Sequence, residues 1–183
     1  QQDLRANSTV GAQFTSVNGD GFDPAYVGAA DAHVKWNDTA YRIYTRLAFS
    51  RAGQDDDRDS GWEGLAYFTK DSGSIGGQLY ADFTSKGFNT NDLGFMQRDN
   101  RAQVGSHLWY RIREPYWFAR ESGYNLNVWR TANLDGDELG RGINFNMWHD
   151  LHNYWGFWMG LDHGFETYDD LATRGGPVMR SPA

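Results

Sequence analysis

The 24 Asp and Glu residues of this 183-residue chain are its most versatile chemical groups. Two carboxylates held a few ångströms apart hydrolyse glycosides, one as acid and the other as base or nucleophile. No spacing here singles out such a pair, so turn and surface carboxylates are the simpler reading. Asn18-Gly19-Asp20-Gly21-Phe22-Asp23 and Asn133-Leu134-Asp135-Gly136-Asp137-Glu138 place oxygen ligands at alternate positions. Calcium needs that spacing, which makes Asp20, Asp23, Asp135 and Asp137 its candidate ligands and calcium the one candidate cofactor. Neither stretch completes the loop with a bidentate Glu, and the same residue types are turn formers. His149 and His152, with Asp150 nearby, would share a metal only inside a turn, because strand positions three apart face opposite sides. Residues 54–59, four of them Asp, read as a solvated loop. The chain has no Cys, which excludes disulfides, thiolate catalysis and Cys-ligated zinc. Gly73-Ser74-Ile75-Gly76-Gly77 is a turn entering a strand rather than a phosphate loop, and no Gly-x-Ser-x-Gly elbow occurs.

The elements that must carry these groups are strands. Tyr41, Ile43, Thr45, Leu47 and Phe49 alternate with Arg42, Tyr44, Arg46, Ala48 and Ser50. The pattern restarts at Ile75 to Thr84 and at Trp155 to Asp162. Period two sends successive side chains to opposite faces. Nine such segments lie near 8–17, 25–37, 40–51, 61–70, 74–85, 102–113, 117–131, 139–149 and 154–167, with Asn-, Asp- and Gly-rich turns between them. Many run to about ten residues, where a globular strand has about five or six and a tilted strand crossing a bilayer has about ten. Ile43, Leu47, Phe49, Leu79, Phe83, Phe157, Met159 and Leu161 are expected to face lipid.

Composition agrees. Aromatics make up 16% of the residues, as aromatic girdles at two interfaces require. The mean hydropathy of -0.72 looks soluble, but half of each barrel strand faces a wet lumen. A net charge of -7 with no basic run argues against nucleic acid as a partner. No apolar run is long enough for a transmembrane helix, and no signal peptide is visible.

The opposite face would line the lumen with Asp31, His33, Lys35, Arg42, Arg46, Gln78, Asp82, His107, Arg111, Arg113, Asn144 and Asn146. Mixed charges there either line a water path or form salt-bridge ladders. Trp62, Tyr116 and Trp117, near strand ends, are the candidates for stacking on sugar rings.

Two segments go beyond pattern: Asn89-Thr90-Asn91-Asp92-Leu93-Gly94-Phe95-Met96-Gln97-Arg98-Asp99-Asn100, and Thr173-Arg174-Gly175-Gly176-Pro177-Val178-Met179-Arg180-Ser181-Pro182-Ala183. With the aromatic strands between them, they resemble the DUF5916 family of bacterial proteins, over most of the chain. In that family a β-barrel region follows a family-9-like carbohydrate-binding domain, which is absent here. The resemblance implies a Gram-negative outer-membrane location and a link to glycans, and implies no catalytic residues.

The sequence therefore leads to an all-β fold. It is an antiparallel up-and-down transmembrane β-barrel, complete or partial, with about nine to ten strands in residues 1–183 as one domain or a fragment of one. An odd strand count and a Pro-Ala end favour the fragment. The expected function is that of a non-enzymatic outer-membrane barrel serving glycan binding or uptake, or acting as a scaffold. Its partners would be the lipid bilayer, polysaccharide and other envelope proteins. The alternatives are a β-rich glycoside hydrolase and a soluble β-sandwich lectin.

Overall fold

The computed structural model describes residues 2–4, 7–53, 59–91 and 95–183, with residues 2–4 and 22 as backbone alone. It is all-β, and the described residues form no α-helix. Ten strands make one antiparallel sheet in chain order: β1 (Gln2–Leu4), β2 (Ser8–Gly19), β3 (Phe22–Trp36), β4 (Tyr41–Ala52), β5 (Asp59–Lys70), β6 (Ile75–Thr84), β7 (Arg101–Ile112), β8 (Ala119–Ala132), β9 (Glu138–Leu151) and β10 (Gly156–Gly164). A separate hairpin joins β11 (Thr167–Asp169) to β12 (Met179–Ser181). The nine segments expected from alternation are β2 to β10. The short, polar β1 and the hairpin carry too little pattern to be read from sequence. The sheet is open, with β1 and β10 as its edges, so closure into a barrel is not part of this fold. A single sheet also replaces the two packed sheets of a sandwich.

Strand pairing divides the side chains into two faces. One face carries Val34, Ile43, Phe68, Leu79, Ser106, Val128 and Ile143 in a single row of register partners. Ala12, Ala30, Leu47, Gly64, Phe83 and Ala102 form another. This apolar face is exposed: Leu47 is 49% accessible, Leu79 54% and Leu161 62%. Its charged residues, Arg51, Lys70, Arg130 and Arg141, lie near strand ends. Aromatic clusters mark both margins. Trp36, Tyr41 and Phe68 stack with centroids 5.6–6.4 Å apart at one margin, and Phe49 meets Trp62 at 4.8 Å at the other. Among the described residues the buried apolar ones are four alanines, Ala25, Ala48, Ala52 and Ala119, and Phe88. The usual inside-out order of a globular domain is thus reversed.

The strands are staggered as well as alternating. Tyr41, the first residue of β4, is in register through Lys70, Gly77, Leu108 and Leu126 with Phe145. Phe145 is six residues from the corresponding end of β9, at Leu151. Six residues over five strand steps is a slip of roughly 1.2 residues per strand, about 4 Å against an interstrand spacing of about 4.8 Å. The strands therefore incline by about 40° to the axis about which the sheet would curl.

The two ends of the sheet differ. Four- to six-residue turns at 37–40, 71–74, 113–118 and 152–155 close one end. The other end carries the 16-residue connection from Ser85 to Asn100, the 53–58 connection and the β11–β12 hairpin. Residues 54–58 of the Asp-rich loop lie outside the described residues.

The register is testable because the chain has no Cys. Ala66 and Ala81 are direct partners on the apolar face. A variant carrying Ala66→Cys and Ala81→Cys should form an intramolecular disulfide on mild oxidation. The pair Ala66→Cys with Tyr80→Cys, on opposite faces, should stay reduced. Non-reducing gels of a proteolytic digest give the answer.

Candidate functional site

The other face is polar, and its charges pair. Register puts Asp31 opposite Arg46, and Arg42, whose register partner Lys35 carries the same sign, donates instead to Asp71 Oδ2 at 3.2 Å. Arg46 Nη2 donates to Glu63 Oε1, and Arg101 Nη2 donates to Asp82 Oδ1 at 2.5 Å. Asp31, Arg46, Glu63, Asp82 and Arg101 thus form a ladder of both signs across β3 to β7. A row of rings runs beside it: His33, Tyr44, Tyr67 and Tyr80, each 6.0–6.3 Å from the next. Of the residues expected on one face, Asp31, His33, Lys35, Arg42, Arg46, Gln78, Asp82, His107, Arg111, Asn144 and Asn146 share this one by register. Arg113 does not belong to the wall. It lies beyond Ile112, exposed at the turn end, with Nη1 donating to the Gly73 carbonyl.

Over this polar face folds the β6–β7 connection. Phe88 is 2% exposed and sits on Gly61, whose added Cβ would lie 2.6 Å from Phe88 Cα. The Asn89 N–H donates to the fully buried Ser50 Oγ at 2.8 Å, and the Gly87 N–H to Asp99 Oδ2 at 2.9 Å. Only glycine fits at 61, since the backbone of the connection lies where any side chain would begin. Phe95 to Arg98 and the polar wall enclose a cleft of about 350 Å³, lined by Arg46, Glu63, Tyr67, Asp82 and Arg101. Residues 92–94 lie outside the described residues.

A second tie holds the connection to the C-terminal hairpin. Arg98 Nη2 donates to Asp170 Oδ2 at 2.9 Å, and Asn133 Nδ2 donates to the same oxygen at 3.0 Å. Both partners of the ion pair are largely buried, at 20% and 13% side-chain exposure. The Arg98 hydrogen bond, helped by that from Asn133, holds the Asp170 carboxyl below its ordinary range against the opposing effect of burial. Asp170 Oδ1 is buried without a hydrogen-bond partner among the described residues. The tie thus joins the first of the two segments that carried the family resemblance to Asp170, three residues before the second begins, a link that sequence reading missed because its partners are 72 positions apart.

The calcium candidates meet other partners. Asp135 accepts from Lys86 Nζ at 2.6 Å and from Asn100 Nδ2 at 2.9 Å, which together lower its carboxyl titration. Asp137 accepts from Asn133 Nδ2 at 2.9 Å. Asp20 and Asp23 flank the turn between β2 and β3. Among the described residues no three His, Asp or Glu side chains converge as a metal site. His149 is buried against Ser122, whereas His152 reaches the Tyr116 carbonyl from the turn, so the two do not share a centre.

The three aromatics expected to stack on sugars are not one platform. Trp62 lies on the apolar face at the loop end, 49% exposed. Tyr116 and Trp117 lie in the 113–118 turn at the opposite end, where the Tyr116 hydroxyl bonds Ser122 Oγ at 2.8 Å. They are separated by the length of a strand, about 40 Å for twelve residues.

The model of the family described as "Domain of unknown function (DUF5916)" matches residues 1–179, nearly the whole chain, and the chain belongs to that family. Neither a curated protein nor a solved structure matches it.

Two outcomes follow for the folded-in connection. Gly61→Ala should unseat Phe88 and destabilise the protein by about 1–3 kcal/mol, as overpacking does, with new protease sensitivity between Ser85 and Asn91. Gly164→Ala, where an added Cβ meets nothing within 4 Å, serves as the neutral control. For pH, a depressed carboxyl stabilises the folded state fully above its unfolded value and loses that contribution as pH falls through its folded value. Protection of the 95–99 segment from proteolysis should thus persist through the ordinary carboxylate range and fail only below it. Asp170→Asn should remove this acid limb.

Proposed function

We propose that this DUF5916 chain is a stretch of the wall of a non-enzymatic outer-membrane β-barrel, whose polar face lines a passage narrowed by the folded-in β6–β7 connection. The observation that carries this reading is the exposed apolar face with charges confined to strand ends. In water such a face is costly at roughly 25 cal/mol per Å². In a bilayer it is the surface required.

Three further features support it. The strands are 9–15 residues long from β2 to β10, and the inclination of about 40° matches the 35–45° of membrane barrels. On β4 the aromatic margins, Tyr41 and Phe49, are eight residues apart, about 26 Å along the strand and roughly 20 Å in height when so inclined. That is the scale of a barrel's apolar band, about 25 Å tall. The 16-residue connection from Ser85 to Asn100 lies at the end opposite the four-residue 37–40, 71–74 and 152–155 turns, in keeping with barrels whose longest loops share one end.

Against catalysis stands the pairing of the polar face. Glu63 and Asp82, the carboxylates that line the cleft, each accept from an arginine. Both are thereby engaged in cross-strand pairs rather than left free toward the cleft.

A pair of neighbouring substitutions in the full-length protein tests the facing. Leu79→Arg, on the apolar face, should cost about 2–4 kcal/mol of unfolding free energy in lipid if it sits near the bilayer midplane. Gln78→Arg, one residue away on the polar face, should cost far less. Equal costs would overturn the membrane reading.

A further inference from the structure

The polar face is not chemically uniform. Its charges concentrate on β3 to β7, as the Arg46–Glu63 and Arg101–Asp82 pairs show. The middle of β7 to β9 carries none. There Asn125 and Asn127 on β8 face Asn146 and Asn144 on β9 as a two-by-two block of amides. Nδ2 of Asn127 donates to Oδ1 of Asn125 at 3.2 Å and to Oδ1 of Asn144 at 2.8 Å, and Nδ2 of Asn146 donates to Oδ1 of Asn125 at 2.9 Å. His107 Nδ1 shares a hydrogen bond with Asn127 Oδ1 at 2.5 Å.

Indoles frame this block. Trp109 is the register partner of Asn125 on the β7 side. Trp129, two residues beyond Asn127, lies toward the loop end, and Trp148, two beyond Asn146, toward the turn end. Each indole lies across a glycine of the neighbouring strand: Trp109 on Gly76, Trp129 on Gly142 and Trp148 on Gly123. A ring laid flat on a glycine has one π-face covered by backbone and the other turned away from the sheet. All three are half-buried, as that posture requires. The amide network and the glycine contacts stabilise the sheet. Arg111 lies over the Trp109 ring at 5.5 Å and His107 beside it at 5.2 Å, whereas the outer faces of Trp129 and Trp148 and the Asn125 Nδ2 and His107 Nε2 groups are without partners among the described residues.

We propose that this amide and indole surface is a binding site for a neutral, hydroxyl-rich ligand of the oligosaccharide class. Sugar C–H faces stack on open indole faces, and hydroxyls both donate to and accept from amides. The four amides carry no formal charge, and Asp162, the register partner of Asn144 on β10, is negative, which favours a neutral ligand over an anionic one. Six residues separate Gly142, which seats Trp129, from Trp148, so the frame spans about 20 Å along the strand, room for several sugar units end to end. The proposal rests on the polar face being the wet side of the protein and is independent of what covers the apolar face. It also moves the sugar site from the strand-end aromatics Trp62, Tyr116 and Trp117 to the middle of the wall.

The test is equilibrium titration of the full-length protein in detergent with four neutral hexasaccharides (maltohexaose, cellohexaose, xylohexaose, chitohexaose) and the anionic hexagalacturonate, read by calorimetry and by indole fluorescence. At least one neutral hexamer should bind at millimolar or lower concentration, with hexagalacturonate about tenfold weaker or absent. Trp129→Ala and Trp148→Ala should each weaken binding about tenfold, and Trp129→Phe should retain most of it. Trp117→Ala, in the exposed turn, should leave it unchanged. No binding by any neutral hexamer, a preference for hexagalacturonate, or binding indifferent to both Trp→Ala changes would overturn the proposal. Each variant is checked for the wild-type thermal unfolding transition, and Trp129→Phe carries the test if Trp129→Ala does not fold. Leu79→Arg and Gln78→Arg report on the membrane reading separately, so the two proposals can fail independently.

Discussion

An apolar face that none of the described residues covers is the constraint on which the rest of this structure depends. Most soluble sheets bury one face against a second layer. Here the sheet has no second layer, and the described residues bury little apolar side chain beyond Phe88 and four alanines. Stability then comes largely from the backbone ladder and from cross-strand pairs on both faces. The aromatic margins and the end-placed arginines and lysine fit the same constraint, since amphipathic groups suit the border between an apolar layer and water.

On the polar side the constraint is the opposite. Charges and amides withdrawn from bulk water need partners, and each strand supplies them to its neighbour: arginine to carboxylate across β4 to β7, amide to amide across β8 and β9. Ring-on-glycine packing keeps large side chains low against the sheet. Space is thereby left for the β6–β7 connection, which enters on the strength of one phenylalanine and a few backbone hydrogen bonds. The same wall thus carries a charged sector beneath the connection and an uncharged sector beside it.

How much of this was legible in the sequence follows from the range of each interaction. All nine long strands could be read, because period two is written locally in runs such as Tyr41 to Ser50. The division into an apolar and a polar face could be read for the same reason. Closure could not, because it depends on partners for the edge strands β10 and β1 that no local pattern names. Phe88 looks like one apolar residue in a turn-rich stretch, and only the tertiary fold brings it onto Gly61. The Arg98–Asp170 tie joins residues with no shared period. Arg113 was assigned to the wall because the alternation of β7 was carried one residue too far. Trp62 and Trp117 were grouped because both sit near strand ends, although the ends are opposite ones. The amide block escaped as a site because its four members, taken strand by strand, look like ordinary outward polar residues.

The Arg98–Asp170 tie has a kinetic meaning too. Its partners are 72 positions apart, and four long strands, β7 to β10, lie between them. Closing so large a loop is entropically costly until the intervening hairpins have zipped. Hairpin zipping is local and takes microseconds in isolated pairs, so the sheet can assemble strand by strand while the β6–β7 connection is still tethered only at its Phe88 end. The ion pair comes last, once β10 has delivered the C-terminal hairpin to its place. The connection is therefore locked only in a chain that has finished its sheet, and in an arrested or misregistered intermediate it would stay free to leave the polar face.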